Sequence, residues 1–208
     1  DGAWKPIESQ VETFRDAKGA VIGVDTVRRT HRGMMLHAGK RWISRRWTVT
    51  DPSDNVEAFR LANRASSAAG FLLAMQDYVV PAQNMLTADR GGHIAIRSTG
   101  HYPTRAKTAA LGDRLLDGTA SANDWQGWWP LADYPQSFDP AQGFLASNNQ
   151  QPKDPKVDGK YFGWDWPAPW RAMRINALLR ADSAVTPDAM RRYQTDSRSE
   201  QTPVFLSA

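Results

Sequence analysis

Cysteine is absent from the 208 residues, which excludes disulfides, thiolate nucleophiles and zinc–thiolate sites and leaves the redox compartment open. No apolar run approaches the roughly twenty residues that cross a bilayer, and no charged-then-apolar leader opens the chain. An export signal, if the protein carries one, is therefore expected upstream of Asp1, and a membrane is not an expected partner. A block of one charge sign is also missing. The formal net charge of +4 comes from 26 basic and 22 acidic residues, and Arg28-Arg29, Arg45-Arg46 and Arg191-Arg192 stand as isolated pairs, a pattern that argues against a nucleic-acid partner.

What is present suits an ordinary folded chain. At 41% hydrophobic and 23% charged, the length suffices for one or two domains with a real core. Nine tryptophans are many for this length. Trp125, Trp128, Trp129, Trp164 and Trp166 sit in Pro- and Gly-bearing text, where such rings either fill a core or line a pocket.

The hydrophobic pattern predicts an α+β fold of antiparallel strands and helices. Residues 1–15 read as an extended segment leading into a strand, Gly19 breaks it, and residues 20–29 alternate as a second strand. Further strands are expected after residues 30–34 and over residues 42–49, forming a sheet with one wet face. His31 is either a general base or, with no carboxylate or nucleophile near it in sequence, a turn residue. Asp51-Pro52-Ser53-Asp54 supplies cap chemistry for a helix over residues 55–67, Gly70 is expected to interrupt it, and residues 71–78 form a second short helix. Residues 81–97 read as a hairpin turning at Asp89, Gly91 and Gly92. That loop invites a calcium reading, but one acidic side chain does not supply six to eight oxygens.

Beyond the hairpin, an irregular connection or a short helix around residues 112–116 is expected, then an irregular wrap over 124–135 and a charged loop over 152–159. Residues 170–181 repeat apolar positions at helical spacing. Thr186-Pro187-Asp188 opens another helix reaching about residue 193, and residues 199–208 begin one more element.

The chain is organised around Gly143-Phe144-Leu145-Ala146-Ser147-Asn148-Asn149-Gln150-Gln151-Pro152 and the tryptophan-rich loop over residues 161–170. The apolar part reads as a strand over residues 143–148, which stops abruptly in polar side chains. Pro152 prevents its continuation as a sheet. An asparagine amide offers two N–H donors without charge, and a neutral donor fixed at a strand end can stabilise a developing oxyanion. The alternative is that Ser147, Asn148 and Asn149 bond the backbone of a turn.

Several motifs, taken in order, resemble the penicillin acylase family. They are Pro81-Ala82-Gln83-Asn84 to Ala88-Asp89, Gly92-His93-Ile94, Gly100-His101-Tyr102-Pro103-Thr104-Arg105, Asp124-Trp125-Gln126-Gly127-Trp128-Trp129-Pro130, Asp139-Pro140-Ala141-Gln142-Gly143-Phe144, Ala146 to Asn149, and Trp170-Arg171-Ala172-Met173-Arg174-Ile175. The resemblance runs over nearly the whole chain. Residues 30–34 depart from the family's usual Thr-Arg-His-Gly-Pro through the swapped His31-Arg32 and Met34, so no role is carried over from that motif.

This resemblance implies a fragment of the four-layer αββα sandwich of N-terminal nucleophile hydrolases. In such enzymes a terminal Ser exposed by proteolysis attacks an amide carbonyl and its own α-amino group, titrating near about 8 in isolation, acts as base. By position, Asn149 would donate to the oxyanion, with Asn148 as its rival if the register slips by one. Arg171 would orient Asn149 and the terminal amine and hold the amine's pKa down. A cation at a helix start opposes the dipole by a few tenths to about 1 kcal/mol, so Arg171 wants such a reason for its place. Trp164, Trp166 and Trp170 either wall an acyl pocket or pack in the core.

The chain begins with Asp1, so residues 1–208 are expected to be a single fragment from the middle of the large (β) subunit, without the nucleophile-bearing segment and the C-terminal remainder, and inactive alone. The resemblance implies an α subunit and the rest of the β subunit as partners, a small-molecule acyl amide substrate, periplasmic or secreted localisation, and no catalytic cofactor, with a structural calcium ion compatible with the parent enzyme. Self-association is expected where cut sheet edges expose apolar surface. A different class of function, a non-catalytic Trp-rich module binding a ligand or carbohydrate, predicts a line of solvent-exposed rings instead.

Overall fold

The computed structural model describes residues 2–106, 112, 114–163 and 165–206. It divides into two compact units, Asp1–Ser53 with Pro103–Trp128, and Asp54–Tyr102 with Trp129–Ala208.

The first unit is built on a four-stranded antiparallel meander in the order β1 (Glu8–Arg15), β2 (Val21–Thr30), β3 (Gly33–Ala38) and β4 (Arg41–Arg45). The turn between β1 and β2 forms because the Asp16 carboxylate accepts from the Lys18 and Ala20 amides, each at 2.9 Å, while Gly19 takes φ +86°. Its second segment is closed at its two ends by an antiparallel bridge between Pro103 and Trp128. Arg32 fastens this segment, pairing with Asp124 and donating to the Gly118 carbonyl at 2.7 Å. The expected strand over residues 42–49 is shorter, because a 3₁₀ turn (Thr48–Thr50) follows β4. His31 sits exposed in the turn between β2 and β3.

The second unit carries helices α1 (Asn55–Ala62) and α2 (Ala68–Ala74) beside a three-stranded antiparallel sheet of β5 (Gln83–Ala88), β6 (Ile94–Thr99) and β7 (Gln136–Phe138). A short helix α3 (Pro155–Asp158) and then α4 (Trp170–Ala181), α5 (Pro187–Gln194) and α6 (Gln201–Leu206) complete it. Its core sets small residues against large ones. Ala58 and Ala62 meet Met75 and Tyr78, and Ala68 and Ala95 meet Leu72, with Phe71 packed against both groups. Small side chains at helix and strand contacts let the backbones approach while the larger ones fill the space between.

Several further expectations are corrected. The first helix ends at Ala62, and Gly70 lies inside α2 instead of breaking it. The Ser67 hydroxyl accepts from the Gly70 amide at 3.1 Å and Asp89 accepts from the Ala68 amide at 2.9 Å, so capping chemistry starts α2 at this point.

Residues 143–148 form no strand. The Phe144 carbonyl accepts from Gln142 Nε2 at 2.9 Å and the Ala146 carbonyl from Gln150 Nε2 at 3.3 Å, so side chains take bonds that a neighbouring strand would supply. The charged loop over 152–159 contains α3, started by Pro155 after Asp154, whose carboxylate accepts from the Lys156 amide at 2.9 Å. The strand β7 was not expected from its three residues. Of the two alternatives for residues 112–116, the irregular connection agrees with Leu115 and Leu116, which are irregular, and residue 113 lies outside the described residues.

Candidate active site

The amide run that the sequence singles out forms a turn in the second unit. Asn149 takes φ +64°, a left-handed conformation that asparagine tolerates better than other residues carrying a Cβ. Gln150 closes the turn on itself, its Oε1 accepting from the Asn148 amide at 2.7 Å while its Nε2 donates to Ala146. The polar segment after the apolar run is thus held by its own side chains.

Arg171 reaches this turn from the start of α4. That helix begins after Pro169 without a side-chain cap and has no acid in its first turn. The guanidinium donates from Nη2 to Asn149 Oδ1 at 2.9 Å and to the Asn148 carbonyl at 3.2 Å. Guanidinium groups only donate, so the contact fixes the orientation of the Asn149 amide with its oxygen toward Arg171 and its NH2 turned away. Asn149 and Arg171 are both exposed. By contrast, Asn148 Nδ2 is buried without a hydrogen-bond partner among the described residues.

The tryptophans divide. The Trp166 indole N–H donates to the Gly163 carbonyl at 3.0 Å, which holds its half-buried ring against its own loop. Trp170 is half-buried as the first residue of α4. Trp164 lies outside the described residues. Nearby, Tyr102 stacks on Trp129 at 5.4 Å between ring centroids and meets Tyr134 and Phe162 edge-on. Burial pushes the Tyr102 phenol well above its ordinary pKa, which fits a core residue and not an acid–base group.

In the first unit Trp42, Trp47 and Trp125 carry the guanidinium groups of Arg28, Arg45 and Arg46 at 5.2, 4.6 and 4.6 Å from their ring centres. Each of these rings thus has a cation–π partner from its own unit, while Trp42 and Trp47 stay about half exposed.

Two open clefts lie elsewhere. One of about 430 Å³ is bordered by Ser67, Phe71, Asp89 and Arg90, and another of about 470 Å³ by Arg29, His31, Arg46 and Asp51. Neither includes Asn149 or Arg171, so size alone points away from the amide turn. We weigh the oriented donor above cleft volume, because volume without convergent polar groups specifies no chemistry. Among the described residues, no group of three or more His, Asp or Glu is placed to hold a metal ion. Both Asp89 oxygens are occupied, by the amides of Ala68 and His93.

The partners of the turn on the sheet carry no role in the sequence reading, where Asn84 stands only as the end of a family motif. Asn84 on β5 donates from Nδ2 to Ser147 Oγ at 2.8 Å and accepts from the Ser98 hydroxyl of β6. The alternation of the hairpin could have marked the inward Ser98, but nothing in the pattern joins Asn84 to a residue 63 positions away.

The sequence model of the penicillin amidase family matches residues 1–208. The chain belongs to the penicillin amidase family. Among relatives within it, an acyl-homoserine lactone acylase of Pseudomonas syringae pv. tomato is 32% identical over 189 residues, covering 87% of this chain and 22% of the relative. A Pseudomonas aeruginosa acyl-homoserine lactone acylase is 27% identical over 222 residues, covering 100% of this chain and 25% of its own length. Penicillin G acylase of Escherichia coli is 29% identical over 105 residues, half of this chain and 12% of that enzyme.

The chain therefore spans about a quarter or less of these relatives. The solved structure of a thermostable penicillin G acylase from Alcaligenes faecalis superposes with a TM-score of 0.76 at 19% identity, covering 93% of this chain and 35% of the acylase chain. This penicillin amidase family member accordingly shares the fold of penicillin G acylase over nearly its full length. Its mixed helices and antiparallel sheets are the α+β class that the sequence predicts.

Proposed function

We propose that this chain is part of an amide hydrolase that cleaves an acyl group from an amine, such as a penicillin or an N-acyl-homoserine lactone, and that Asn149 supplies an oxyanion donor. The nucleophile is a terminal Ser contributed from outside these 208 residues, in an enzyme assembled from an α subunit and the rest of a β subunit and either held in the periplasm or secreted. The fragment alone is then inactive. The hydroxyl of that Ser attacks the amide carbonyl while its α-amino group takes the proton, and the carbonyl oxygen becomes the oxyanion. Collapse of that intermediate releases the amine and leaves an acyl ester, which water hydrolyses.

The observation that carries this reading is the contact between Arg171 and Asn149. It turns a neutral amide N–H outward from a left-handed turn, where a developing negative charge can be met without the cost of reorienting the donor. Asn149 is favoured over Asn148 because its side chain is exposed, whereas the Asn148 NH2 is buried. Arg171 also places a fixed positive charge beside the site, which would disfavour protonation of a neighbouring terminal amine. Trp166 and Trp170 are proposed to border the acyl group, together with Trp164.

The test is steady-state kinetics of the full-length protein on phenylacetylated chromogenic amides and fatty-acylated homoserine lactones. Asn149→Ala is expected to lower kcat by about 10²–10³-fold with little change in KM, the loss typical of removing one oxyanion donor. An unchanged kcat in a folded variant would remove Asn149 from the mechanism.

A further inference from the structure

The turn presenting Asn149 is tied to the sheet by a short chain of side chains. Asn84 and Ser98 are directly opposed across β5 and β6. Ser98, only 5% exposed, donates its hydroxyl hydrogen to Asn84 Oδ1. Asn84 is half-buried and extends Nδ2 to Ser147 Oγ at 2.8 Å. Ser147 stands two residues before Asn149. The apolar stretch before it has no strand partner, so the sheet holds this turn through a side-chain link instead of a backbone ladder.

Three ties therefore meet at the turn. Gln150 closes it internally, Arg171 holds it from α4, and Asn84 holds it from the sheet. Arg171 fixes which way the Asn149 amide is flipped, but contacts from one helix leave the turn free to shift along the sheet. An oxyanion donor must be placed within about 0.5 Å of its productive position, and such placement depends on supporting groups that are themselves locked. Ser98 is locked by burial, and Asn84 passes that fixity across to Ser147.

We propose that Asn84 is a positioning residue for the oxyanion donor, acting through Ser147 to fix the turn that presents Asn149. The proposal rests on Asn149 being that donor, and the experiment separates the two. In the full-length protein, kcat and KM are measured for Asn84→Ala, Ser147→Ala and Asn149→Ala, and for Asn84→Ala combined with each of the other two.

Asn84→Ala and Ser147→Ala are each expected to lower kcat about tenfold with KM nearly unchanged, because misplacement of the order of an ångström is enough for losses of this size or more. The pair together should lose no more than either alone. In the Asn149→Ala background, Asn84→Ala should cost nothing further, since the donor it positions is already gone. A purely structural role would not produce that dependence on Asn149. Ser147 is exposed, so Ser147→Ala removes the same link even if Asn84→Ala disturbs the sheet.

Wild-type kcat in Ser147→Ala and Asn84→Ala beside an inactive Asn149→Ala would overturn the positioning role and leave the donor in place. Losses that multiply in the Asn149→Ala background would also overturn it. Full activity in Asn149→Ala would bring down the donor assignment and the positioning role together.

Discussion

At the scale of single residues, position 149 asks for two properties that few side chains combine. The backbone needs a residue that accepts φ +64°, and the proposed chemistry needs a neutral N–H donor. Glycine meets the first requirement and alanine meets neither, since a Cβ in the left-handed region costs roughly 1–2 kcal/mol. Asn149→Gly and Asn149→Ala should therefore lose kcat alike, and both lose the Arg171 contact, but the alanine variant should lower the unfolding midpoint further. Equal melting of the two would show that the turn relaxes out of the left-handed conformation.

His93 offers a separate pH-dependent contact. Its Nδ1 lies 2.6 Å from Asp139 Oδ2, and the hydrogen bond to Asp139, with that group's charge, raises the imidazole above its ordinary 6.5. The same bond to His93 lowers Asp139 below its ordinary 3.8. The histidine contribution is complete below 6.5 and fades as pH rises through the raised folded value. The aspartate contribution is present above 3.8 and fades as pH falls through the lowered folded value. His93→Gln should thus destabilise most between these limits and least at pH values well above the histidine range, as read by denaturant unfolding at several pH values. A pH-independent loss would show that ring packing on Phe138, 5.7 Å away, is what matters.

Legibility at this scale was uneven. Asn149 and Arg171 stood out through the family resemblance, and they meet across 22 residues of sequence. Asn84 lay in one of the quoted motifs but carried no role, because a polar residue at an alternating strand position is indistinguishable from a solvated one until the fold shows what it faces.

At the scale of elements, the sequence was most informative where periodicity and caps agree. The bounds of α4 coincide with the predicted 170–181, and α5 starts where Thr186 accepts from the Ala189 amide at 3.1 Å and Pro187 follows. It misled where an apolar run implied a ladder, as at 143–148, and where Gly70 implied a break.

Helix α2 explains the second failure. Its N-terminus is satisfied by Ser67 and Asp89, and Arg97 from β6 donates to the Leu72 carbonyl near its other end at 2.9 Å, so both ends are held by polar side chains that tolerate a glycine between them. Burial lowers the pKa of Arg97, which also donates to Gln136 on β7 at 2.9 Å. Ser67→Ala should destabilise the protein by about 1 kcal/mol in chemical denaturation, the usual cost of losing an N-cap. No change would mean that the Asp89 carboxylate alone satisfies the first turn.

At the scale of the whole molecule, burial is unequal. Among the described residues, every buried hydrophobic side chain except Pro103 belongs to the second unit, while the first exposes Val11, Phe14, Ile22 and Val24 on its first two strands. Apolar sheet faces of this kind are normally covered. The isolated 208-residue chain is therefore expected to self-associate beyond 23.2 kDa in sedimentation velocity and to bind a hydrophobic dye, both effects weakening when Val11 and Val24 are replaced by threonine. A monomer that ignores the dye would show that these strands need no cover.

The chain passes between its two units three times, after residues 53, 102 and 128. Neither unit is a continuous stretch of polypeptide. No single stop codon or protease cut can therefore yield one without damaging the other, and a ribosome has already delivered the hairpin of the second unit before the first has all its parts. A deletion series read from either terminus would make the two units look like one, however independent their interiors are.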